Sequence, residues 1–429
     1  MLIPIFTVHA SELTNATPLL MGIALGSYGL SQGILQMPFG MLSDRFGRKP
    51  IITFGLILFA IGSFIGAWAH SIEMMILARV LQGAGAIGSV LMALLADLTA
   101  DEQRTKAMAV VGVSIGISFS LAMIISPMLA KHSGLAGIFY FTAILAIFAL
   151  LLLHWVIPTP KQDPFHERDI IQPAQFRQVL TNRHLQRLNA GIFFQHLILT
   201  STFYVLPLLL KQYIQQGQLS EAWHFYLPLM ISAFIMMVPV IVWGERRQRM
   251  KVVFITAVSL TALSQFALIG LNQHWQGICV AMVVYFVAFN ILEATLPSQV
   301  SRQADGANKG TAMGIYSSSQ FLGIFAGGAL AGVTYQFADI SGIFVFNSII
   351  SLLWLGIAAF TNPNVYELTH SIPFPHDDST DHSALLQALN DLPGVTSVSI
   401  SHKEQKLYLR VAKDKYTKNS AEELIRQRG

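Results

Sequence analysis

The chain has 429 residues, of which 53% are hydrophobic and only 12% are charged, with a formal net charge of +4. Soluble domains carry about 25% charged residues, so this composition excludes an ordinary soluble globular protein. The single cysteine, Cys279, excludes a disulfide framework and a cysteine metal site. We therefore predict an all-α polytopic membrane protein whose partner is the lipid bilayer, with no metal, no cofactor and no nucleic acid bound.

Apolar runs of about 20 residues, the length that crosses a bilayer as an α-helix, repeat along the chain. We predict eleven complete spans, near residues 17–40, 50–69, 74–97, 105–129, 134–157, 187–210, 223–244, 251–271, 275–297, 310–334 and 341–361. Residues 1–10 resemble the second half of a further span and are too short to cross alone. We expect the native start to lie upstream of Met1.

Lysine and arginine are distributed very unevenly between the loops. The loops near 41–50, 101–106, 158–187, 245–251 and 301–309 hold sixteen of them, and the opposite loops hold only Lys131 and Lys211. By the positive-inside rule the sixteen mark the cytoplasmic side, so we predict a multi-pass protein of the cell inner membrane. The long segment 158–186 is then a central cytoplasmic loop between two helix bundles, 1–157 and 187–361.

The segment 366–429 differs in composition, because 17 of its 64 residues are charged. Helical and alternating patterns follow each other in the order strand, helix, strand, strand, helix. This order predicts a small α+β, ferredoxin-like domain on the cytoplasmic side. The tail has no cysteine for a thiolate metal site, so regulation or self-association is the role we expect of it.

Two stretches carry a specific pattern of charge and glycine. "GMLSDRFGRKP" (residues 40–50) joins the second and third predicted helices, and "RVLQGAGA" (residues 79–86) falls on the fourth. The first matches the loop G-x-L-x-D-R-x-G-R-K of the major facilitator superfamily, through Gly40, Leu42, Asp44, Arg45, Gly47, Arg48 and Lys49. The chain therefore resembles that superfamily over residues 1–361, and is most similar to its proton-driven exporters with an added cytoplasmic domain.

The resemblance implies a 12-helix (6+6) fold, here with the first helix only partly present, and transport by alternating access. It also implies a conformational latch between the halves. Asp44 would face the N-terminus of the eleventh helix near Gly310, and Arg45 would pair with Asp97. The alternative is that the charges only keep the loop on the cytoplasmic side. For that role Asp44 and the two glycines, Gly40 and Gly47, would be unnecessary.

Three ionisable residues fall inside apolar spans, where charge is costly. Arg79 has a role in coupling or snorkels to the surface. Glu293 takes up and releases a proton, or is a structural carboxyl hydrogen-bonded to a neighbouring helix. His196 titrates or simply packs.

Other polar side chains recur at helical spacing around these residues. In the superfamily, helices one, four, seven and ten line the transport pathway, so the resemblance implies a substrate cavity between the corresponding helices of this chain. Its candidate residues are Tyr28, Gln32, Gln36, Asn189, Tyr204 and Asn290. Hydrogen bonding between helices is the alternative for the stripe that begins at Tyr28.

We interpret the chain as a secondary active transporter, not an enzyme, that exports an amphiphilic organic compound by proton antiport. The cavity is poor in charge and rich in apolar residues, which suits such a substrate. One departure from the superfamily's antiporters is the fifth helix, where "GVSIGISFSLAMIISP" replaces a Gly-Pro-rich segment. The alternative is a transporter-like sensor that signals through the tail. A membrane enzyme ranks last, because no catalytic pair stands out.

Overall fold

A computed structural model of the chain describes residues 1–99, 101–159, 173–304, 309–360, 367–373, 383–401, 406–412, 416–417 and 420–428. The membrane part consists of α1 (Phe6–Ala10), α2 (Pro18–Phe46), α3 (Arg48–Ala67), α4 (Ile72–Ala84), α5 (Gly88–Asp97), α6 (Asp101–Trp155), α7 (Pro173–Thr181), α8 (Arg183–Gln215), α9 (Ala222–Arg246), α10 (Met250–Leu271), α11 (Trp275–Gln303) and α12 (Lys309–Ala359). Residues 160–172 of the predicted central loop, and the predicted domain boundary at Tyr366, lie outside the described residues.

Within these described residues, nine helical stretches are long and apolar enough to cross a membrane. Two of them, α6 and α12, each contain two of the predicted spans. They are kinked at Gly134 (φ 59°) and Asp339 (φ 55°), where the backbone leaves the helical region. At the second kink the Asp339 carboxylate accepts the Ile340 N–H at 2.9 Å. The helices α4 and α5 together form one predicted span, so all eleven predicted spans are helical.

The two bundles pack through α2 and α12, where glycines allow the backbones to touch. A methyl group on Gly22 would lie 2.2 Å from the Gly328 carbonyl oxygen, and one on Gly33 would lie 3.2 Å from the Ser318 oxygen. Beyond Gly33 the spacing widens: a methyl on Gly314 would meet only the Met37 side chain, at 3.6 Å, and one on Gly310 would meet nothing within 4 Å. The two helices therefore diverge toward the end of the bundle that carries the charged loop between α2 and α3, which we call the basic end.

The opposite end, called the far end below, joins the two bundles by polar contacts. Lys131 of α6 contacts Glu221, just before α9, at 2.5 Å. The Tyr204 hydroxyl donates to the Pro18 carbonyl at 2.8 Å. Because these contacts link the first bundle to the second, the far end is closed in this conformation.

The tail forms a separate hydrophobic core around a three-stranded sheet. Its elements are β1 (Glu367–Pro373), α13 (Ser383–Asn390), β2 (Val395–Ser401), β3 (Lys406–Ala412) and α14 (Ser420–Arg428). The strands are antiparallel in the order β1-β3-β2, and Leu389, Leu407, Leu409 and Val411 are fully buried. The element order agrees with the predicted one, and the ferredoxin-like assignment stays a prediction.

Candidate functional site

A carboxylate in the second bundle is held by side chains from two other helices. Glu293 lies on α11, and Gln195 of α8 donates from its amide nitrogen to Oε2 at 3.0 Å. Gln320 of α12 donates to Oε1 at 3.4 Å. Each carboxylate oxygen thus has an amide donor, an arrangement that satisfies an ionised carboxylate inside a membrane protein.

His196, on α8, is joined to the same carboxylate through Gln320. The Gln320 amide nitrogen lies 2.9 Å from His196 Nε2, whereas His196 Nε2 and Glu293 Oε2 are 3.8 Å apart. With the ring proton on Nδ1, 3.3 Å from the Ile192 carbonyl oxygen, Nε2 accepts from Gln320. One amide group, with two N–H donors, therefore lies between the histidine ring and the Glu293 carboxyl group.

Water has access to this cluster. The Glu293 side chain is 38% accessible although its partners come from two neighbouring helices, so it borders an opening inside the bundle. Several buried polar atoms on the same helices have no hydrogen-bond partner among the described residues. They are Asn189 Oδ1, Asn290 Nδ2, Tyr316 Oη, Ser318 Oγ and both amide atoms of Gln299. Buried polar atoms of this kind are ones that water commonly satisfies, so the surroundings of Glu293 are polar.

The first bundle buries a cation in place of an anion. Arg79 of α4 is only 9% exposed and donates to Gln82 Oε1 at 2.9 Å. Its guanidinium carbon lies 4.8 Å from the centre of the Tyr28 ring, a cation–π contact. Gln82 in turn donates to Ser63 at 2.8 Å. The side chain thus points into the bundle and does not snorkel.

The predicted cavity residues divide into two groups. Asn189 and Asn290 lie on α8 and α11, the helices that carry Gln195 and Glu293, but Gln32 and Gln36 are buried and face Gly88 of α5, within the first bundle. Tyr204 lies apart from both groups, and its place in the cavity stays a prediction. This fully buried residue lies at the far end, where its hydroxyl reaches Pro18 across the two bundles.

The charged loop between α2 and α3 is fastened inside the first bundle. Arg48 contacts Asp44 at 2.6 Å and Asp97 at 2.9 Å, and Lys49 donates to the Ile157 carbonyl oxygen at 2.6 Å. Gly47 adopts φ 93°, a value that favours glycine, and it is the single residue between the end of α2 and the start of α3.

Two contacts that the resemblance implies for this loop are not formed in this conformation. Asp97 pairs with Arg48, and Arg45 stacks over the Phe46 ring at 5.4 Å. Asp44 also pairs with Arg48, and among the described residues no atom lies within 4 Å of a methyl group added at Gly310, where α2 and α12 diverge. The glycine at position 40 packs on α5, where an added methyl would lie 3.5 Å from Ser89 Oγ.

Comparisons with known proteins decide the family. The family model described as Major Facilitator Superfamily matches residues 1–252 and 230–374. Over 435 residues the chain is 39% identical to the inner membrane transport protein YajR of Escherichia coli K12, an alignment that covers 100% of this chain and 93% of the relative. The chain belongs to the major facilitator superfamily, and within it to the YajR type.

More distant relatives extend the comparison. The quinolone resistance protein NorA of Staphylococcus aureus (strain MSSA476) is 27% identical over 348 residues, covering 78% of this chain and 86% of NorA. The crystal structure of a D-xylose-proton symporter has a TM-score of 0.67 at 16% identity, over 85% of this chain and 94% of that chain. The likeness to the symporter shows the major facilitator fold.

Membership in the major facilitator superfamily makes the chain a multi-pass membrane transporter of small molecules and not an enzyme. Among the described residues, no group of three His, Cys, Asp or Glu side chains is placed to hold a metal ion. The site of interest is therefore the cluster around Glu293 and the buried cation Arg79.

Sequence reasoning missed the two glutamines that hold Glu293. Gln195 adjoins His196, and Gln320 lies four residues after Tyr316. Each is an amide side chain inside an apolar helix, and a polar residue in such a helix indicates that it has a polar partner there. It also missed Glu221 as the partner of Lys131, because the two are 90 residues apart.

Proposed function

We propose that the protein is a proton-coupled secondary transporter that exports an amphiphilic organic compound by alternating access. The observation that carries the proposal is the Glu293 carboxylate, which is held by two glutamines and is partly open to water inside the bundle. Ionisable residues at this depth are rare in membrane proteins and serve ion pathways.

Protonation of Glu293 would rearrange its surroundings. A carboxylic acid has one oxygen that donates, so it cannot accept from both Gln195 and Gln320 as the carboxylate does. One of the two amides must then turn its oxygen toward the acid O–H or move away, so the links from α11 to α8 and α12 are rearranged. In this way a proton could change the packing of the helices that line the pathway.

The substrate class rests on the lining and on one relative. The Phe119 and Phe289 rings stack between the two bundles with centroids 6.4 Å apart, so the region beside Glu293 is aromatic. The Staphylococcus aureus relative is named for quinolone resistance. Together these support an amphiphilic organic molecule, because such a compound uses apolar contacts and a few polar groups.

The loop between α2 and α3 would act as the latch of the alternating-access cycle. In this conformation the far end is closed and the latch residues are paired within their own bundle. When the basic end closes, α12 would approach α2 there, and Asp44 could face its N-terminus, where a carboxylate is favoured. Arg79 would serve as a fixed positive charge beside the pathway.

The test uses purified protein in liposomes that hold an acidic interior and a fluorescent reporter of the pH difference. Compounds are added one at a time, beginning with quinolones, and leakage is measured in empty liposomes. We expect a transported compound to release protons from wild-type liposomes but not from liposomes with Glu293→Gln. Compound flux that proceeds equally with and without a pH difference would refute proton coupling.

A further inference from the structure

A second basic loop, between α9 and α10, is built differently from the latch. We call residues 245–251 the 8–9 loop, since it joins the eighth and ninth helices of the 12-helix fold. Residues 245–249 are all exposed. The side chains of Arg246, Arg247 and Arg249 have no hydrogen bond or ion pair with any residue that the structure describes.

The backbone of the 8–9 loop is a tight turn. Gln248 adopts φ 54°, and the Arg249 N–H donates to the Gly244 carbonyl at 2.8 Å. A turn this short keeps the three arginines at one level of the membrane surface. Next to it, Trp243 is 44% exposed, and exposed tryptophan is typical of the depth at which headgroups lie.

The acid that could neutralise these arginines is already engaged. Glu245, the one carboxylate in the loop, contacts Arg302 of α11 at 3.6 Å. In the corresponding loop of the first bundle, Arg48 has two carboxylates, Asp44 and Asp97. The 8–9 loop therefore carries three guanidinium groups for which the described part of the protein provides no anion.

We propose that the 8–9 loop binds the headgroup of an anionic phospholipid, with the arginines donating to its phosphate oxygens. A guanidinium group presents a planar set of N–H donors that matches phosphate, and it is the side chain suited to this contact. Basic clusters next to the membrane end of a helix attract anionic lipid, whose phosphates lie at the same depth. The alternative is that the arginines only set the orientation of the chain in the membrane, which requires positive charge in the loop but no contact with a lipid.

The proposal predicts that lipid charge, and not phosphate alone, decides binding. Native mass spectrometry of the full chain counts bound lipids while phosphatidylglycerol, phosphatidylcholine or free glycerol phosphate is titrated. We expect phosphatidylglycerol to bind well above phosphatidylcholine and more weakly as salt is raised. Equal binding of the two lipids would overturn the proposal, and so would free glycerol phosphate that displaces the lipid at equal concentration.

The variant Arg247→Gln/Arg249→Gln should bind phosphatidylglycerol about thirtyfold more weakly, from the usual contribution of each arginine at a membrane surface. The matched control is Arg177→Gln/Arg183→Gln, which removes the same charge from the same end of the bundle and should keep wild-type affinity. Arg247→Lys/Arg249→Lys retains the charge, and its affinity for phosphatidylglycerol should lie between those of the other two variants.

If all three variants bind phosphatidylglycerol like wild type, the lipid site is elsewhere and the proposal is wrong. The proposal is also contradicted if the 8–9 loop variant and the control lose the same phosphatidylglycerol affinity. If a variant fails to fold, the salt dependence of phosphatidylglycerol binding to the wild type still tests the proposal.

Discussion

The two helix bundles bury opposite charges and support them with the same kind of side chain. In the first, Arg79 donates to the oxygen of Gln82; in the second, Glu293 accepts from the nitrogens of Gln195 and Gln320. An amide can present either end, so glutamine can satisfy a cation or an anion in a membrane. Each bundle thereby stabilises its own charge without a salt bridge to the other.

The two charges differ in access to water, and this assigns their roles. The Arg79 residue is 9% exposed, whereas the Glu293 side chain is 38% accessible. A group that exchanges protons must meet water, and a guanidinium group stays charged at any working pH. Under the proposed proton coupling, the second bundle would carry the moving charge and the first would provide a fixed one.

The largest effect should come from removing each buried charge in turn. We expect Glu293→Gln to reduce proton-driven transport to the background of empty liposomes, because the group that exchanges the proton is gone. Arg79→Gln should slow transport but leave its dependence on the pH gradient. Flux assays with and without a gradient separate the two. If Arg79→Gln alone abolished the gradient dependence, the assignment of roles would be reversed.

The hydrogen bonds that hold Glu293 can be weakened while the carboxyl group itself is kept. Gln320→Leu deletes the donor that Glu293 and His196 share, and a lost hydrogen bond to a buried group costs about 1–3 kcal/mol. We expect transport about tenfold slower, with a shifted pH profile. Ser319→Ala, whose hydroxyl bonds only to Ile315 on its own helix, is the matched control. An unshifted profile in Gln320→Leu would show that the amide does not act on the carboxyl.

A smaller effect should appear in the loop that fastens the first bundle. Arg48→Gln leaves Asp44 and Asp97 without their partner, at a cost of about 1–3 kcal/mol. Arg45→Gln removes only a contact with Phe46. We expect the melting temperature in detergent to fall by several degrees in the first variant and hardly at all in the second. The reverse order would restore the pairing of Arg45 with Asp97 that the sequence suggested.

The smallest effect concerns the exposed ion pair that joins the bundles at the far end. Hydrogen bonds from Lys131 and then Trp223 hold the pKa of the Glu221 carboxyl below its ordinary value. The pair is therefore formed at neutral pH and is lost as the pH falls through that lowered pKa.

Glu221→Gln should open the far end by less than about fivefold in population, as is usual for exposed pairs. Distances between spin labels on the two bundles would measure it, with Glu245→Gln, whose partner lies in its own bundle, as the control. Equal distance distributions in Glu221→Gln and wild type at acid and neutral pH would show that the pair does not hold the bundles together.

Much of the fold followed from the sequence, because the lengths of apolar runs decide where helices cross a membrane. The position of Glu293 within its helix was equally accessible, since a carboxyl in an apolar span is conspicuous. The convergence of Gln195 and Gln320 on it was not, because it depends on how three helices rotate against each other. The partner of Asp97 was missed for a local reason: the turn at Gly47 directs Arg48, and not Arg45, toward it.

The most direct test of the assigned roles is to observe the proton on the carboxyl itself. Infrared difference spectra of the protein in lipid, taken between acid and neutral pH, record carboxyl groups that gain a proton. Subtracting the spectrum of Glu293→Gln from that of wild type cancels the other acids. We predict a carboxylic acid band in this double difference, which is retained when the same subtraction is made in an Arg79→Gln background. A double difference without such a band would contradict the claim that Glu293 carries the proton.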